Sequence, residues 1–349
     1  MRMVLCVTAA LLVGQGAPRA DDTMSRQALT AAAQRSLDLL VKTSPAFIKK
    51  GGCNSCHNQT LPAAAQTFAK SRGIAVGDPI EQLPPEVSDA TLERYAEYSV
   101  AGGAGINALA FQLFEDDLAK RPADGRVRAQ IQYIKGQQQP EGYWRGGGML
   151  TNNGQLGLAR PGGSRPPLMF DDFTPTAFMV RALKAYGPPS DVVDTTARIA
   201  KARQWLLGTR ATRTQEHAFR VLGLKWSGAD RRAVDAAAGD LQALQQRDGG
   251  FSQLPTLPSD AYATGLALFA LYEAGLPTTH RAYQAGLKFL LTTQAADGTW
   301  RVRSRSLEFQ PYFESGYPYQ RDQWISAAGA AYATLAIAAA VEPPQTAAR

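Results

Sequence analysis

The residues with the clearest chemical meaning form one short segment, Cys53-Asn54-Ser55-Cys56-His57. Its C-x-x-C-H spacing is the attachment signature of a c-type haem. Each thiol can form a thioether with a haem vinyl group, and the adjacent histidine can bind the iron from the proximal side. The segment therefore predicts one covalent haem c held by Cys53, Cys56 and His57, with His57 as the iron ligand.

The remaining cysteine content fits haem attachment but leaves alternatives open. Cys6 lies in an N-terminal apolar run and would be lost with a signal peptide, so a mature chain would keep only the two motif cysteines. A local disulfide or redox dithiol is one alternative in an oxidising compartment. A structural zinc site is another, but it needs four ligands and the sequence offers no second cysteine or histidine pair.

The N-terminus predicts export. Arg2 precedes the apolar run Met3–Val13, and small or turn-forming residues follow it. This order is typical of a secretory signal peptide, here residues 1–20, with a retained membrane anchor as the alternative. The predicted location is periplasmic or secreted, with no permanent membrane span after cleavage. The net charge of +7 is spread along the chain, without the basic and aromatic stripe of nucleic-acid-binding proteins, so we expect no nucleic-acid partner.

A second axial ligand for the iron is not obvious. Low-spin cytochromes usually use Met or His, and neither occurs between His57 and Met149. The ligand would have to come from the body of the protein, where the candidates are Met149, Met169 and His217, unless the iron is five-coordinate. The partners that these observations suggest are a redox protein or an apolar or isoprenoid ligand.

An internal repeat must position these residues. Three segments share one pattern: a helix, a turn with Gln, Gly and an aromatic residue, and a second helix rich in Ala and Leu. The helix-and-turn segments are Ile131–Gly146, Leu241–Gln253 and Leu287–Arg301, and the second helices are Thr174–Gly187, Asp260–Gly275 and Trp324–Val341. We expect the turns to bend at Gly142, Gly250 and Gly298, with Tyr143, Trp144, Phe251 and Trp300 filling the gaps between helix pairs.

Weaker copies complete the pattern. They span residues 202–224, 92–114 and 33–70, and the last carries the C-x-x-C-H segment in its turn. Six helix pairs that bury each other's apolar faces can close into a ring. The sequence thus predicts an all-α fold, an α/α toroid of about six helical hairpins. The domains expected are the signal peptide, a first helical pair with the haem turn (21–87), the toroid (88–341) and a disordered tail (342–349).

The turns resemble the Q-x-x-x-x-G-x-W (QW) repeats of squalene–hopene cyclases and of the related prenyltransferases and terpenoid cyclases. Gln138–Trp144, Gln246–Phe251 and Gln294–Trp300 carry the resemblance, which covers most of residues 90–341. It implies an α/α toroid with a central cavity. Cys53–Leu61 and Pro311–Ser326 also look like an uncharacterised bacterial group that joins C-x-x-C-H to a squalene-cyclase-like body, which implies no particular function.

The acid motif of those cyclases, D-x-D-D-T-A, is not intact here. Before Thr264 only Asp260 remains, and Asp171 and Asp172 stand near Thr176 but are displaced. Capping of helix N-termini is the alternative role for the three aspartates. Whether the chain is an enzyme is open, and its weak catalytic candidates are Asp171, Asp172, Asp260 and Glu314.

The haem signature, the export signal and the repeat together predict an exported c-type haem protein with a squalene-cyclase-like toroid. Its expected function is electron transfer or redox sensing. Two alternatives remain: an isoprenoid or terpenoid cyclase-like enzyme, and a toroidal module that binds an apolar ligand.

Overall fold

The computed structural model describes residues 24–51, 55–80, 106–146, 167–168, 171–306 and 312–343. The predicted signal peptide lies outside these residues, as does the tail from residue 344. Within them, two isolated bridges are the only β pairing. The helices are α1 (Arg26–Gly51), α2 (Leu61–Ser71), α3 (Ile106–Leu118), α4 (Gly125–Gly136), α5 (Phe173–Tyr186), α6 (Val192–Gly208), α7 (Thr214–Trp226), α8 (Arg231–Gln242), α9 (Ala261–Ala274), α10 (Arg281–Thr293) and α11 (Gln323–Ala339). A π-helix, Cys56–Thr60, leads into α2, and short 3-10 turns, Pro189–Asp191 and Gln320–Asp322, precede α6 and α11.

Six of the helices form a closed inner ring in the order α2, α3, α5, α7, α9, α11, and α11 packs back on α2. The outer helices α4, α6, α8 and α10 each pack on two neighbouring inner helices, and α1 packs on α11 and α2. The prediction of an all-α α/α toroid of about six helical hairpins is therefore confirmed. The first helix of one weak copy, Leu92–Tyr98, lies outside the described residues.

Aromatic side chains fill the interior of the ring on the side where the inner helices end. Phe114 of α3 and Phe269 of α9 touch across the ring, with ring centroids 6.3 Å apart, and Phe68 of α2 contacts Phe269 at 5.8 Å. Phe178 and Trp226 pack on Phe114. Apart from Phe114 and Phe178, these pairs join helices that are not neighbours in the ring, so the central cavity implied by the cyclase resemblance is occupied by side chains at this level.

The three QW-like turns have one geometry. In each, the glutamine side-chain amide donates to the carbonyl of the turn glycine and to a carbonyl of the next outer helix. The pairs are Gln138 with Gly142 (2.8 Å) and Arg198 (3.0 Å), Gln245 with Gly249 (2.8 Å) and Ala282 (2.7 Å), and Gln294 with Gly298 (3.1 Å) and Ala32 (2.9 Å). The last pair reaches α1 and so ties the end of the chain to its beginning.

The middle turn corrects the register expected from the sequence. Its bridging residues are Gln245 and Gly249, each one position before the expected Gln246 and Gly250. The shift moves both residues together, so three residues separate glutamine from glycine in all three turns, one fewer than in Q-x-x-x-x-G-x-W. The reason is steric, because the residue that faces the next outer helix must adopt a positive φ, and Gly249 does so at +86°.

None of the helices in the described part of the chain combines the length and the apolar character that a bilayer crossing requires.

Replacing Gly298 by Ala tests the ring closure. Gly298 has φ +88°, and an added Cβ would overlap the carbonyl oxygen of Arg35 in α1. We expect the free energy of unfolding in urea to fall by about 2–4 kcal/mol, because positive-φ strain and a backbone clash add together. Gly228→Ala is the matched control, since Gly228 has φ +72° with nothing within 4 Å of an added Cβ. Gly228→Ala should lower the free energy of unfolding by only about 1 kcal/mol. Equal losses for the two variants would contradict the close contact between the Gly298 turn and α1.

Candidate functional site

The N-terminal turns of several inner helices meet at one mouth of the toroid. Asp171 precedes α5, Gln215 lies in the first turn of α7 and Tyr262 in the first turn of α9, and all three line one pocket. The pocket holds about 330 Å³, including space open to solvent. Its other lining residues are Pro167, Arg213, Glu216, Gln253, Ala263, Leu266 and Arg305. The lining therefore combines charged and polar side chains with the apolar Pro167, Ala263 and Leu266.

Asp171 is the buried acid of this pocket. Its Oδ1 accepts from the Thr174 backbone N–H at 2.7 Å, and its Oδ2 accepts from the Thr174 hydroxyl at 3.0 Å and from the Gln215 amide. Burial raises the pKa of Asp171 to about 6, although the hydrogen bonds from Thr174 and Gln215 oppose that shift. The carboxyl group thus caps the start of α5, as the capping alternative expected, and also titrates close to neutrality.

Gln215 is fixed by its partners on both sides. Its Nε2 donates to the Pro167 carbonyl at 2.7 Å as well as to Asp171. Its Oε1 accepts from the Tyr262 hydroxyl at 2.6 Å, which sets the orientation of the amide. Behind Tyr262, Tyr332 packs edge to face with ring centroids 5.1 Å apart, and the Tyr332 hydroxyl is buried without a hydrogen-bond partner in the described structure. The acid is therefore held by a continuous polar chain from α5 through α7 to α9.

A second chain of contacts connects Asp260 to Arg305. Asp260 caps α9 by accepting from the Ala263 backbone N–H at 2.9 Å, and its Oδ2 accepts from the Gln253 amide at 2.9 Å. Gln253 in turn accepts from Nε of Arg305 at 2.7 Å. Burial raises the pKa of Asp260 to about 6. Burial and the nearby charge of Arg213 both lower the pKa of Arg305.

Glu216 serves the start of α7. It accepts hydrogen bonds from the backbone N–H groups of Thr212 (2.7 Å) and Arg213 (3.2 Å) and forms an ion pair with the Arg213 guanidinium at 3.2 Å. The carboxylate is therefore a structural cap at the edge of the pocket.

The other two acid candidates have structural surroundings. Asp172 accepts from the Gly146 backbone N–H at 2.7 Å, and the corresponding Asp322 before α11 accepts from the Ser304 N–H at 2.8 Å. This repeated contact ties the chain after a turn to the next inner helix. Glu314 is exposed, accepts from the Tyr312 hydroxyl and does not line the pocket.

The C-x-x-C-H segment also lies at an inner-helix start, as expected from its place in a repeat turn. Cys53 lies outside the described residues, whereas Cys56 and His57 are buried in the π-helix that leads into α2. The His57 ring meets Phe47 of α1 at 5.3 Å and Trp324 of α11 at 5.8 Å, both edge to face. Aromatic side chains of two helices, α1 and α11, therefore flank this histidine.

His57 has the surroundings that a metal-binding histidine needs. Its Nδ1 pairs with the Asn58 side-chain carbonyl at 2.5 Å, an arrangement that assigns the proton to Nδ1 and the lone pair to Nε2. Cys56 and His57 thus fit the haem expected from the sequence, which would supply redox chemistry if bound. Attachment of haem c stays a prediction, because Cys53 lies outside the described residues.

Of the three predicted distal ligands, His217 is the one that lies in the described part of the chain. Met149 and Met169 lie outside the described residues. His217 is on α7, three positions round the inner ring from α2. Burial lowers the pKa of His217, and its charged neighbours include Asp240 of the outer helix α8. His217 therefore belongs to a different sector of the toroid.

Sequence reasoning missed the other polar residues of the pocket, namely Arg213, Gln215, Glu216, Gln253, Tyr262 and Arg305. One signal could have found two of them: Gln215 and Tyr262 are polar groups in the first turns of helices that are otherwise buried. No local pattern marks Arg305, because its position follows from the path of the chain after the third turn.

Comparisons with known proteins inform only the architecture. No protein-family model matches the chain, and no curated protein is similar to it in sequence. A solved structure from Salmonella enterica, described as a possible member of the GH105 family, matches 97% of this chain and 99% of its own with 14% identity and a TM-score of 0.49. A similarly described structure from Klebsiella pneumoniae matches 98% and 99% with 14% identity and a TM-score of 0.48. This similarity assigns no activity to the chain.

The function expected from the sequence is wrong by these comparisons. The similar chains are described as possible members of a glycoside hydrolase family, not as electron carriers or redox sensors. For the alternatives, a terpenoid cyclase and an apolar-ligand module, the ring interior where a ligand would be expected is occupied by aromatic side chains at the level of Phe114 and Phe269.

Replacing Asp171 by Asn tests the raised pKa through stability. A carboxyl with a raised folded-state pKa binds more protons in the native than in the unfolded state, so its favourable contribution is lost as the pH rises from about 4 to 6. The unfolding free energy of Asp171→Asn, relative to wild type, should therefore rise by about 2–3 kcal/mol between about pH 4 and 7. Urea titrations at both pH values measure this difference.

The control for this comparison is Asp38→Asn, which changes an exposed carboxyl on α1. Its difference from wild type should stay nearly constant over the same range. If Asp171→Asn behaves like Asp38→Asn, the carboxyl of Asp171 has an ordinary pKa.

Proposed function

We propose that the chain is an enzyme that performs acid–base chemistry on a small polar substrate at the mouth pocket, with Asp171 as the proton donor or acceptor. The observation that carries the proposal is a buried carboxyl with a pKa of about 6 that lines a pocket open to solvent. A carboxyl with such a pKa can be present in both protonation states near neutral pH, as a general acid or base requires.

The contacts of Asp171 support this role. The Thr174 backbone N–H fixes Oδ1 at 2.7 Å, and the Thr174 hydroxyl and the Gln215 amide fix Oδ2. A carboxyl anchored at both oxygens keeps its orientation when it gains or loses a proton, which reduces reorganisation during the reaction. Gln215 is itself fixed by Tyr262, so we regard Gln215 and Tyr262 as positioning residues for Asp171.

The polar lining supports a polar substrate. The side chains of Gln253 and Tyr262 lie at the pocket beside two arginines, and amides and hydroxyls of this kind hydrogen-bond to hydroxyl and carbonyl groups. The substrate class we propose is therefore a compound rich in oxygen.

Incubation with an extract of small polar metabolites tests the proposal without a chosen substrate. We expect mass spectrometry to find at least one compound that wild type consumes and Asp171→Asn consumes at least about a hundredfold more slowly, because general acid–base groups contribute about that much. Asp172→Asn is the matched control, since Asn can keep the acceptor for the Gly146 N–H, and it should retain activity.

Two results would contradict the proposal: no compound consumed by wild type, or equal consumption by wild type and Asp171→Asn. For a compound that is consumed, kcat/KM should change through one ionisation near pH 6, the value to which burial raises the pKa of Asp171.

A further inference from the structure

We infer that Arg305, together with Arg213, binds an oxyanion, a carboxylate or phosphate group, of the compound that enters the mouth pocket. This inference rests on the proposed function, because it names the substrate class of the same site. It stands on the position of two guanidinium groups at one small pocket and on the contacts of Arg305.

Arg305 is half-buried and lacks a carboxylate partner at ion-pair distance within the described part of the chain. Its side-chain contact there is the hydrogen bond from Nε to the Gln253 amide oxygen at 2.7 Å. A partly buried charge is costly unless it is paired. The other arginines of the inner-helix sector show the usual solution, as Arg181 pairs with Asp117 at 2.7 Å and Arg213 with Glu216 at 3.2 Å. Arg305 therefore differs from these arginines, because no carboxylate of the described residues forms an ion pair with it.

The charged groups near Arg305 favour the binding of an anion. Arg213 is the second cation of the pocket, and it is close enough to lower the pKa of Arg305. Asp260 acts on Arg305 in the opposite sense, but its oxygens are already engaged by Ala263 and Gln253. An oxyanion between the two guanidinium groups would relieve their repulsion and supply acceptors for the terminal N–H groups of Arg305.

The chemistry of arginine selects the ligand group. The planar guanidinium presents parallel N–H donors that match the two oxygens of a carboxylate or phosphate. Because Nε of Arg305 is held by Gln253, the orientation of the guanidinium plane is set before the ligand arrives. Gln253 is therefore a positioning residue for Arg305, as Gln215 is for Asp171, and the two chains of contacts place an acid and a cation at one pocket.

Binding of three related hexoses tests the inference. D-glucuronate and D-glucose 6-phosphate carry the two oxyanions, and D-glucose has the same ring without a charge. Calorimetric titration of the full chain at millimolar ligand should show binding of at least one anion, at least about tenfold tighter than D-glucose. Arg305→Gln should lose about tenfold of that affinity. Arg303→Gln, which removes an exposed arginine two residues away, should stay within about twofold.

Thermal unfolding of each variant shows whether a loss of binding reflects a loss of folding. The inference is overturned if neither anion binds, if D-glucose binds as tightly as the anions, or if a folded Arg305→Gln protein keeps wild-type affinity. Its failure is separable from that of the proposed function. Consumption of a neutral compound that depends on Asp171 would leave the enzyme proposal intact, whereas anion binding without any turnover would leave only a binding site.

Discussion

The glutamine amide that joins each QW-like turn to the next outer helix is the interaction on which the rest of the structure depends. One side chain satisfies a turn carbonyl and a carbonyl of the neighbouring repeat, as Gln294 does with Gly298 and Ala32. This last joint connects the end of the ring to α1, and ring closure is what brings the inner-helix N-termini to a common mouth. The repeated glutamine hydrogen bonds therefore determine where the polar first turns of the inner helices meet.

The polar mouth and the aromatic interior have opposite effects on water. At one end of the ring, Phe114 and Phe269 meet across the interior and leave little space. At the other, residues at the starts of α5, α7 and α9 line a pocket. Asp171 lies between the two environments, close enough to the core to lose hydration, so that burial raises its pKa to about 6. Helix capping and a titratable acid are thus two consequences of one position.

The repeat made the fold predictable, but not the site. Apolar periodicity and the glycine turns identified the helix pairs and the ring, and they missed only by one residue at Gln245 and Gly249. Asp171 and Asp260 could be named because the repeat pattern locates the helix N-termini, where aspartate is a common cap. Arg305 could not, since a cation outside a helix has no periodicity, and its contact with Gln253 joins two loops far apart in sequence. The C-x-x-C-H signature predicted a cofactor from local chemistry alone and carried with it a function that the comparisons contradict.

The central claim is that the toroid mouth contains a carboxyl group poised between its two protonation states. The most direct measurement is a carbon-13 NMR titration of the aspartate side-chain carboxyl carbons, with the Asp171 signal assigned by its loss in Asp171→Asn. The account predicts a midpoint of about 6 for Asp171. A midpoint near the ordinary aspartate value of about 4 would contradict it.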